Sequence, residues 1–248
     1  LKMLPIKSEG IILKKFDFRE TSVILHIYTQ EMGKIKGILK GVRSEKSKIP
    51  PATFQVGSHI FTLIYKKKSE LNLFSSPSII NYFEIKDKKN FNVYLYILHL
   101  INIFTPENLK EPKIFTLLLK TGSYLQTSNN PEIVLTFFKT KFIKYLGYGF
   151  HLENCTSCNK EDKMYFFSGK KGGIVCRKCS KEDVNSVRIS FPIIRIMKMF
   201  DNFDYNKIKI IKSIPTEILK KVNFYINTTL NFHSDINGIW WENEKNLL

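Results

Sequence analysis

The sequence predicts an α+β protein, in which a small N-terminal β-barrel is followed by an all-α domain that carries an inserted four-cysteine ribbon. Three observations support this fold class. Short apolar alternations fill the first 80 residues, longer apolar runs fill most of the rest, and the only four cysteines of the 248 residues form two CxxC pairs. Apolar residues recur every second residue in a strand and about every 3.6 residues in a helix, so the change near residue 80 indicates a change of architecture.

Five strand-like segments predict the barrel. They cover residues 10–16, 21–29, 34–41, 56–65 and 70–75, with glycine, proline or charged residues between them. In the second segment Val23, Leu25 and Ile27 fall on one face. Five short strands in a chain of this size are typical of a Greek-key barrel of the OB type. An SH3-like barrel gives a similar pattern, so the topology stays open at this point.

Beyond Pro77 the apolar pattern is helical. Helices are predicted over residues 91–104, 113–127, 132–146, 191–203 with Ser190 as the cap, and 216–233. The first three are apolar on more than one side, so we expect them to pack against each other. The predicted domains are the barrel (1–80), the first part of a helical domain (81–150), the ribbon insertion (151–182) and the second part of the helical domain (183–248).

The two cysteine pairs have the spacing of a structural zinc site. Cys155 and Cys158 form the first pair, and Cys176 and Cys179 form the second. Strand-like residues 164–167 and 174–175 surround a glycine turn between the pairs, which predicts a zinc ribbon. The alternatives are two disulfides or inert buried thiols. Disulfides need an oxidising compartment, and Lys2, Lys7 and Glu9 interrupt any apolar signal region near the N-terminus.

One run of residues before the first cysteine pair resembles part of a catalytic zinc motif. His151-Leu152-Glu153 before a CxxC pair is similar to the HxE and PCxxC elements of zinc deaminases. However, only Asn154 separates Glu153 from Cys155, no proline precedes the pair, and the second pair would fill the coordination position that catalysis needs. The chain contains no GxxxxGK[ST], GxSxG or HExxH motif. We therefore expect no catalytic residues and no enzymatic activity.

The charge of the chain favours a polyanionic partner. Lys and Arg number 39 against 22 Asp and Glu, a net charge of +17, and the excess is concentrated in the N-terminal part. Neutralising phosphates releases condensed counterions, so nucleic acid is the first candidate. An AT-rich genome, which inflates Lys, Asn and Ile codons, is the alternative explanation. No apolar run of about 18 residues occurs, so we expect no membrane span and a cytoplasmic location.

The barrel offers cations and aromatic rings for binding single strands. We expect one concave surface lined by the cations of the first three strands and the following loop: Lys14, Lys15, Arg19, Lys34, Lys36, Lys40, Arg43, Lys46 and Lys48. The candidate stacking platforms are Phe16, Phe18, Tyr28, Phe54 and Tyr65. The alternative for each ring taken alone is a place in the barrel core, which large side chains usually fill. The alternative for the basic loop 43–48 is a solvated loop that binds nothing.

The order of parts and several residue runs resemble the bacterial RecO family of recombination mediators. The similar runs are GIILK at 10–14, RETS at 19–22, TQEMGK at 29–34, KGVR at 40–43, FIKYLGY at 142–148, the two CxxC pairs, and Phe167-Ser168 with Gly172-Gly173. The sequence departs from the family pattern at Asn159, where a glycine is common, and at Gly149, where a proline is common. Because asparagine tolerates a left-handed backbone, the first departure is mild.

The resemblance implies a DNA repair protein of the RecFOR pathway, with an OB domain and a structural Zn²⁺. It implies binding to single- and double-stranded DNA, annealing of complementary strands, association with RecR and with the acidic tail of single-stranded DNA-binding protein, and help in loading RecA during gap repair. Such a protein would be cytoplasmic and associated with the nucleoid. The alternative function is a zinc-ribbon OB-fold protein that binds RNA or acts in transcription.

Overall fold

The computed structural model describes residues 4–67, 71–211 and 213–233. Two compact units make up the chain, Leu1–Thr127 and Ser128–Leu248. Within these described residues, the first unit contains the barrel and two helices, and the second contains four helices and the ribbon. Contacts therefore group the first two helices with the barrel, whereas the sequence pattern assigned them to a helical domain beginning at residue 81.

Five strands form a closed barrel in the first unit. They are β1 (Ile6–Phe18), β2 (Ser22–Thr29), β3 (Gly33–Leu39), β4 (His59–Tyr65) and β5 (Asn72–Asn81). Their order around the barrel is β1-β2-β3-β5-β4, with β1 also paired to β4 and a single parallel pair between β3 and β5. This is the five-stranded Greek-key arrangement of the OB fold, so the prediction of an OB barrel is confirmed.

Alternating side chains fill the barrel. Val23, Leu25 and Ile27 of β2 are fully buried in one core cluster, as their shared face predicts. A short 3-10 helix, Pro51–Phe54, adds the Phe54 ring to the same cluster. Burying this many branched and aromatic side chains stabilises the barrel by roughly 25 cal/mol for each Å² of apolar surface removed from water.

A bulge in β1 decides which side chains point into the barrel. The pairing of β1 with β2 shifts between Ile12 and Lys14, so one extra residue stands in β1 at this point. Beyond the shift Lys15 pairs with the core residue Leu25, and Lys14 pairs with His26 on the opposite face. Side chains directly opposite one another in an antiparallel pair lie on the same face. Adjacent strand residues point to opposite sides in any case, so the bulge determines that Lys15 lies on the face of Leu25 and Lys14 on the outer face.

Two helices complete the first unit: α1 (Lys88–Phe104) packs on β1 and on α2 (Pro112–Leu125). The Asp87 side chain caps α1 by accepting a hydrogen bond from the Asn90 N–H at 2.9 Å. The segment after α1 runs beside β3, where the Asn108 N–H donates to the Lys34 carbonyl at 2.9 Å. This close approach requires a glycine at position 33, because a Cβ there would overlap the Leu109 carbonyl and the φ angle is +67°.

The second unit is built around one central helix. It contains α3 (Pro131–Tyr145), α4 (Phe191–Asn202), α5 (Tyr205–Lys209) and α6 (Thr216–His233). Helix α3 packs against the other three, which explains why its sequence is apolar on several sides. The predicted cap residue Ser190 stands at the N-cap position of α4, but its side chain makes no capping hydrogen bond.

The ribbon is a three-stranded sheet in the order β7-β6-β8. Its strands are β6 (Tyr165–Ser168), β7 (Gly173–Cys176) and β8 (Val187–Ile189). The first two strands match the predicted hairpin, and β8 was not predicted. Helix α6 is attached to this sheet, because the Tyr225 hydroxyl donates to the Arg188 carbonyl at 2.7 Å and the Tyr225 ring lies 5.2 Å from the Phe167 ring.

Candidate nucleic-acid interface and metal centre

The nine predicted DNA-binding cations fall into two groups on the barrel. Six of them lie on or beside the β1–β2 turn and the loop after β3. These six, called the basic end below, are Lys15, Arg19, Lys40, Arg43, Lys46 and Lys48. The other three, Lys14, Lys34 and Lys36, lie on the outer face of β1, β2 and β3. The sequence pattern suggested that all nine cations line one common concave surface. The structure divides them between two surfaces instead.

Arg43 joins the two loops of the basic end. Its guanidinium donates to the Asp17 carboxylate at 2.7 Å and to the Arg19 carbonyl at 2.5 Å. Its backbone N–H donates to the Thr21 carbonyl at 2.9 Å. Arg43 is thus a positioning residue as well as a cation, whereas Lys40, Lys46 and Lys48 project into solvent. The three exposed lysines are the better candidates for direct phosphate contacts, because the Arg43 guanidinium is already engaged by Asp17 and the Arg19 carbonyl.

Cation–π contacts order the remaining cations of the basic end. The Lys15 ammonium lies 5.6 Å from the centre of the Phe54 ring and 3.5 Å from Gln55 Oε1. The Arg19 guanidinium lies 5.3 Å from the centre of the Phe18 ring. Contacts of this kind contribute about 0.5–1 kcal/mol at exposed sites. They hold the two positive charges near the opening of the barrel.

Only one of the five predicted stacking platforms is exposed. Tyr28 and Phe54 are buried in the barrel, and Phe18 and Tyr65 are half-buried. Phe16 keeps 41% of its surface exposed, and the Lys14 ammonium lies 4.7 Å from the centre of its ring. Phe16 is therefore the ring best placed to stack on a nucleobase beside a positive charge.

The outer-face lysines of β3 are engaged within the unit. The Lys34 ammonium donates to the Asn102 carbonyl of α1 at 2.5 Å, and its residue is only 8% exposed. Burial lowers the pKa of Lys34, and the nearby Glu107 carboxylate acts in the opposite direction by favouring the charged ammonium. Lys36 forms an ion pair with Glu107. Lys34 therefore does not meet the expectation of an exposed phosphate contact, and Lys36 is partly neutralised.

The four cysteines come together as one cluster in the second unit. All four are free thiols, and their sulfur atoms lie within 4.8 Å of one another. The Cys158 and Cys176 sulfurs are 3.8 Å apart, and a tetrahedron with Zn–S bonds of about 2.3 Å has edges of about 3.8 Å. The cluster can hold a metal ion with four sulfur ligands. No position for a water ligand would remain on such an ion.

Two knuckles and one strand position the sulfurs. In the first knuckle the Asn159 N–H donates to the Cys155 carbonyl at 2.8 Å, and Asn159 has a φ angle of +58°. This left-handed backbone explains why glycine is common there and confirms that asparagine is accommodated. In the second knuckle the end of β7 delivers Cys176, whose sulfur accepts a hydrogen bond from the Cys179 N–H at 3.5 Å.

The surroundings of Cys155 and Cys179 shift the pKa values of these two thiols in opposite directions. Burial alone raises the pKa of Cys155, but the backbone N–H groups of Cys176, Cys158 and Ser157 lower it to about 6. Hydrogen bonding to the Cys176 sulfur, together with burial, raises the pKa of Cys179 to about 12. One ligand is thus ready to bind a cation near neutral pH, and another must be deprotonated by the cation itself.

The residues that resembled a deaminase motif lie apart from this cluster. His151 Nε2 is 2.5 Å from Asn154 Oδ1, and the Glu153 carboxylate accepts a hydrogen bond from Lys198 at 2.6 Å. Among the described residues that could ligate a metal together, only the four cysteines form a group. The deaminase-like reading of these residues gains no support from the geometry.

Sequence reasoning missed two structural parts of these sites. Strand β8 has only three residues, which is too short for an alternation to be recognised. The chain segment 107–110 was taken as a connection between helices, yet it pairs with the edge of β3. The requirement for glycine at position 33 is the only local signal of this contact. None of the helices within the described residues is both long enough and apolar enough to cross a membrane.

An OB barrel followed along the chain by a helical unit with a tetracysteine ribbon places the chain in the class of OB-fold proteins that carry a four-cysteine ribbon. The family model "Recombination protein O N terminal" matches residues 3–83, and the model "Recombination protein O C terminal" matches residues 87–234. The chain belongs to the RecO family. This result confirms the resemblance seen in the sequence.

Curated relatives extend over nearly the whole chain. A protein of Caldicellulosiruptor saccharolyticus named DNA repair protein RecO is 30% identical over 231 residues, which cover 91% of this chain and 93% of the relative. Proteins with the same name from Halalkalibacterium halodurans and Bacillus mycoides are 27% and 24% identical, covering 84% and 96% of this chain and 82% and 95% of the relatives. The similarity therefore includes the barrel, the helices and the ribbon.

Proposed function

We propose that this chain is a recombination mediator that binds and anneals single-stranded DNA through the basic end of its barrel and helps to load a recombinase during gap repair. Membership of the RecO family supports a role in DNA repair and recombination. The observation that carries the site assignment is the cluster of exposed lysines on the loop after β3, held against the β1–β2 turn by Arg43.

Annealing can be performed without bond-making chemistry. Two complementary strands repel each other through their phosphates, and cationic side chains reduce this repulsion while leaving the base edges accessible. Lys40, Lys46 and Lys48 supply mobile charges of this kind, and Phe16 supplies a ring that can stack on any base. We therefore propose a non-enzymatic role for the chain.

The metal in the ribbon is proposed to be Zn²⁺ with a structural role. Four thiolates at tetrahedral spacing are the donor set that zinc prefers in closed sites. Cys155, Cys158, Cys176 and Cys179 would hold the ion, whose chemical contribution is to link two distant chain segments. The same sulfurs leave no position for a substrate, so the proposed ion supports the fold of the second unit.

The proposed protein partners follow from the family resemblance. They are RecR, the acidic tail of single-stranded DNA-binding protein, and RecA through these two. The net charge of +17 favours an acidic peptide as a ligand. Titration calorimetry with an acidic-tail peptide and with purified RecR tests these partners directly. Double-stranded DNA and nucleoid association remain predictions of the same kind.

Charge reversal at the basic end tests the proposal. The variant Lys40→Glu, Lys46→Glu, Lys48→Glu is compared with the control Lys88→Glu, Lys89→Glu, Lys120→Glu, which changes the same number of exposed charges on α1 and α2. Each lost phosphate contact on a single strand reduces the salt slope by about 0.7, so three contacts account for roughly 100-fold in affinity at 0.1 M salt. Fluorescence anisotropy with a labelled oligonucleotide measures both quantities, and a strand-annealing assay measures the activity.

The control variant should bind and anneal nearly as the unchanged chain does. Equal losses in both variants would show that total charge matters and its position does not, which contradicts the site. The same titrations with RNA of matched sequence discriminate the alternative function, because a strong preference for RNA would favour an RNA-binding or transcription-associated protein.

A further inference from the structure

A second cationic site lies on the barrel, away from the basic end. An open pocket of about 550 Å³ is bordered by the β2–β3 turn, the residues that follow β4 and the segment after α1. Four lysines and two glutamates line it, together with two asparagines and one methionine. We call it the lysine pocket; its charged residues are Glu31, Lys36, Lys66, Lys67, Glu107 and Lys110.

The acidic side chains of the lysine pocket are already engaged. The Glu31 carboxylate accepts a hydrogen bond from the Ser8 hydroxyl, and Glu107 is paired with Lys36. Within the described part of the chain, Lys66, Lys67 and Lys110 contact no carboxylate, and all three are exposed. The described lining thus carries four positive and two negative charges, a net charge of +2, and this excess favours an anion as the ligand.

The polar lining decides which part of an anionic ligand fits. Phosphate oxygens accept hydrogen bonds from ammonium and amide groups, which are the groups that this pocket presents. Among the described residues that line it there is no aromatic ring, and Met32 is the one apolar side chain. A nucleobase would find no stacking partner there, and an apolar peptide side chain would find little surface to cover. The chemistry of the pocket thus matches the sugar–phosphate backbone.

The lysine pocket and the basic end lie at opposite ends of strand β2. The β2–β3 turn borders the pocket, and the β1–β2 turn belongs to the basic end. Strand β2 has 8 residues, which at about 3.3 Å per residue separates the two sites by roughly 25 Å. A single OB fold commonly covers between about 4 and 16 nucleotides, so this separation is within reach of one bound strand.

We propose that the lysine pocket binds phosphodiester groups of a DNA strand as a second contact, separate from the basic end. The proposal rests on the proposed DNA-binding function and extends it to Lys66, Lys67 and Lys110, which are not among the nine cations that the sequence predicts. A strand held at both ends of β2 is kept extended along the barrel. An extended strand presents its bases to a complementary strand, and a strand held at one point only remains free to coil.

Charge reversal in the pocket tests the proposal on the full chain. We expect the variant Lys66→Glu, Lys67→Glu, Lys110→Glu to lose roughly 100-fold in affinity for a thymidine 20-mer at 0.1 M salt and to lower the salt slope by about 2. The control is again Lys88→Glu, Lys89→Glu, Lys120→Glu, which should change both values little. Because the three pocket lysines have no carboxylate partner among the described residues, the melting temperature should be unchanged.

Lysine footprinting on the unchanged chain gives a local readout. The 20-mer should reduce acetylation of Lys66, Lys67 and Lys110, measured by mass spectrometry, and leave Lys88 and Lys89 as reactive as before. The inference is overturned if the pocket variant binds DNA as tightly as the control, or if DNA does not protect these lysines. It is also overturned if an acidic peptide protects them and DNA does not.

The two proposals fail in distinguishable ways. If only the basic-end variant loses DNA binding, the proposed function stands and the second contact is wrong. If only the pocket variant loses binding, the second contact stands and the assignment of the basic end is wrong. If neither variant differs from the control, both site assignments are wrong.

Discussion

Removing one ligand of the cysteine cluster should weaken the whole second unit. In the variant Cys176→Ser, a hydroxyl replaces the sulfur at the end of β7, next to the strand that carries the Phe167 ring. That ring packs against Tyr225 of α6, and α6 packs against the central helix α3. The cluster is therefore connected to the helices through the ribbon sheet, and its loss cannot remain confined to the knuckles.

The size of the effect follows from the loop that the proposed metal would close. Cys158 and Cys176 are separated by 18 positions in the chain. A cross-link that closes a loop of this length reduces the entropy of the unfolded chain enough to contribute about 3 kcal/mol to folding. For a unit of about 120 residues, a loss of this size lowers the melting temperature by roughly 10 °C.

Scanning calorimetry and hydrogen exchange measure this effect. Metal content is measured first, and Ser157→Ala serves as the control because it alters the first knuckle without removing a sulfur. Amide protection should fall in β6, β7 and α6. A melting temperature of Cys176→Ser within about 2 °C of the control, with unchanged protection, would refute the idea that metal binding is part of the folding energy.

Two further predictions concern buried and titrating groups. Lys34→Met should destabilise the chain by about 1–3 kcal/mol in urea unfolding, because the half-buried Asn102 carbonyl loses its donor. The same variant should leave DNA affinity within two-fold of the unchanged chain, and a large loss of affinity would show that Lys34 reaches DNA. Zinc binding at pH 7 should release fewer than four protons, because a pKa of about 6 leaves Cys155 largely ionised while Cys179, with a pKa of about 12, must lose its proton. The number of protons released should rise as the pH falls below 6, because Cys155 then becomes protonated. Calorimetry in buffers of different ionisation enthalpy counts these protons. Release of four protons at pH 7 would contradict the lowered pKa of Cys155.

Local patterns were sufficient to locate most elements. The alternation in β2 and the apolar periodicity of α1, α3 and α6 each arise from residues close in sequence, so their positions are visible without tertiary contacts. The cysteine cluster was predictable for the same reason, since each CxxC knuckle is a local structure. Strand β8 and α5 were missed because elements of three and five residues carry too little periodic signal.

The distribution of the cations could not be read from the sequence. Lys14 and Lys15 lie on opposite faces as neighbouring strand residues do, but the bulge in β1 decides which of the two lies on the face of the core residue Leu25. Lys34 and Lys36 alternate with apolar residues as exposed strand lysines do. In the structure, however, Lys34 donates to a carbonyl near the end of α1, and Lys36 pairs with a glutamate in the segment after α1. When a helix packs on a sheet, it covers one face of that sheet and shields it from water. The residue pattern within a strand does not show which face will be covered.

The sequence alone determined the position and kind of the longer secondary structure elements, the grouping of the cysteines into two CxxC pairs and the excess of positive charge, because these properties depend on composition and on neighbours a few residues apart. The tertiary structure decided which charges remain free and where they collect. Lys40, Lys46 and Lys48 stay exposed, whereas Lys66, Lys67 and Lys110 meet in a pocket formed by chain segments far apart in sequence. The physical reason is that burial and ion pairing depend on packing between distant elements, and packing is a property of the folded chain.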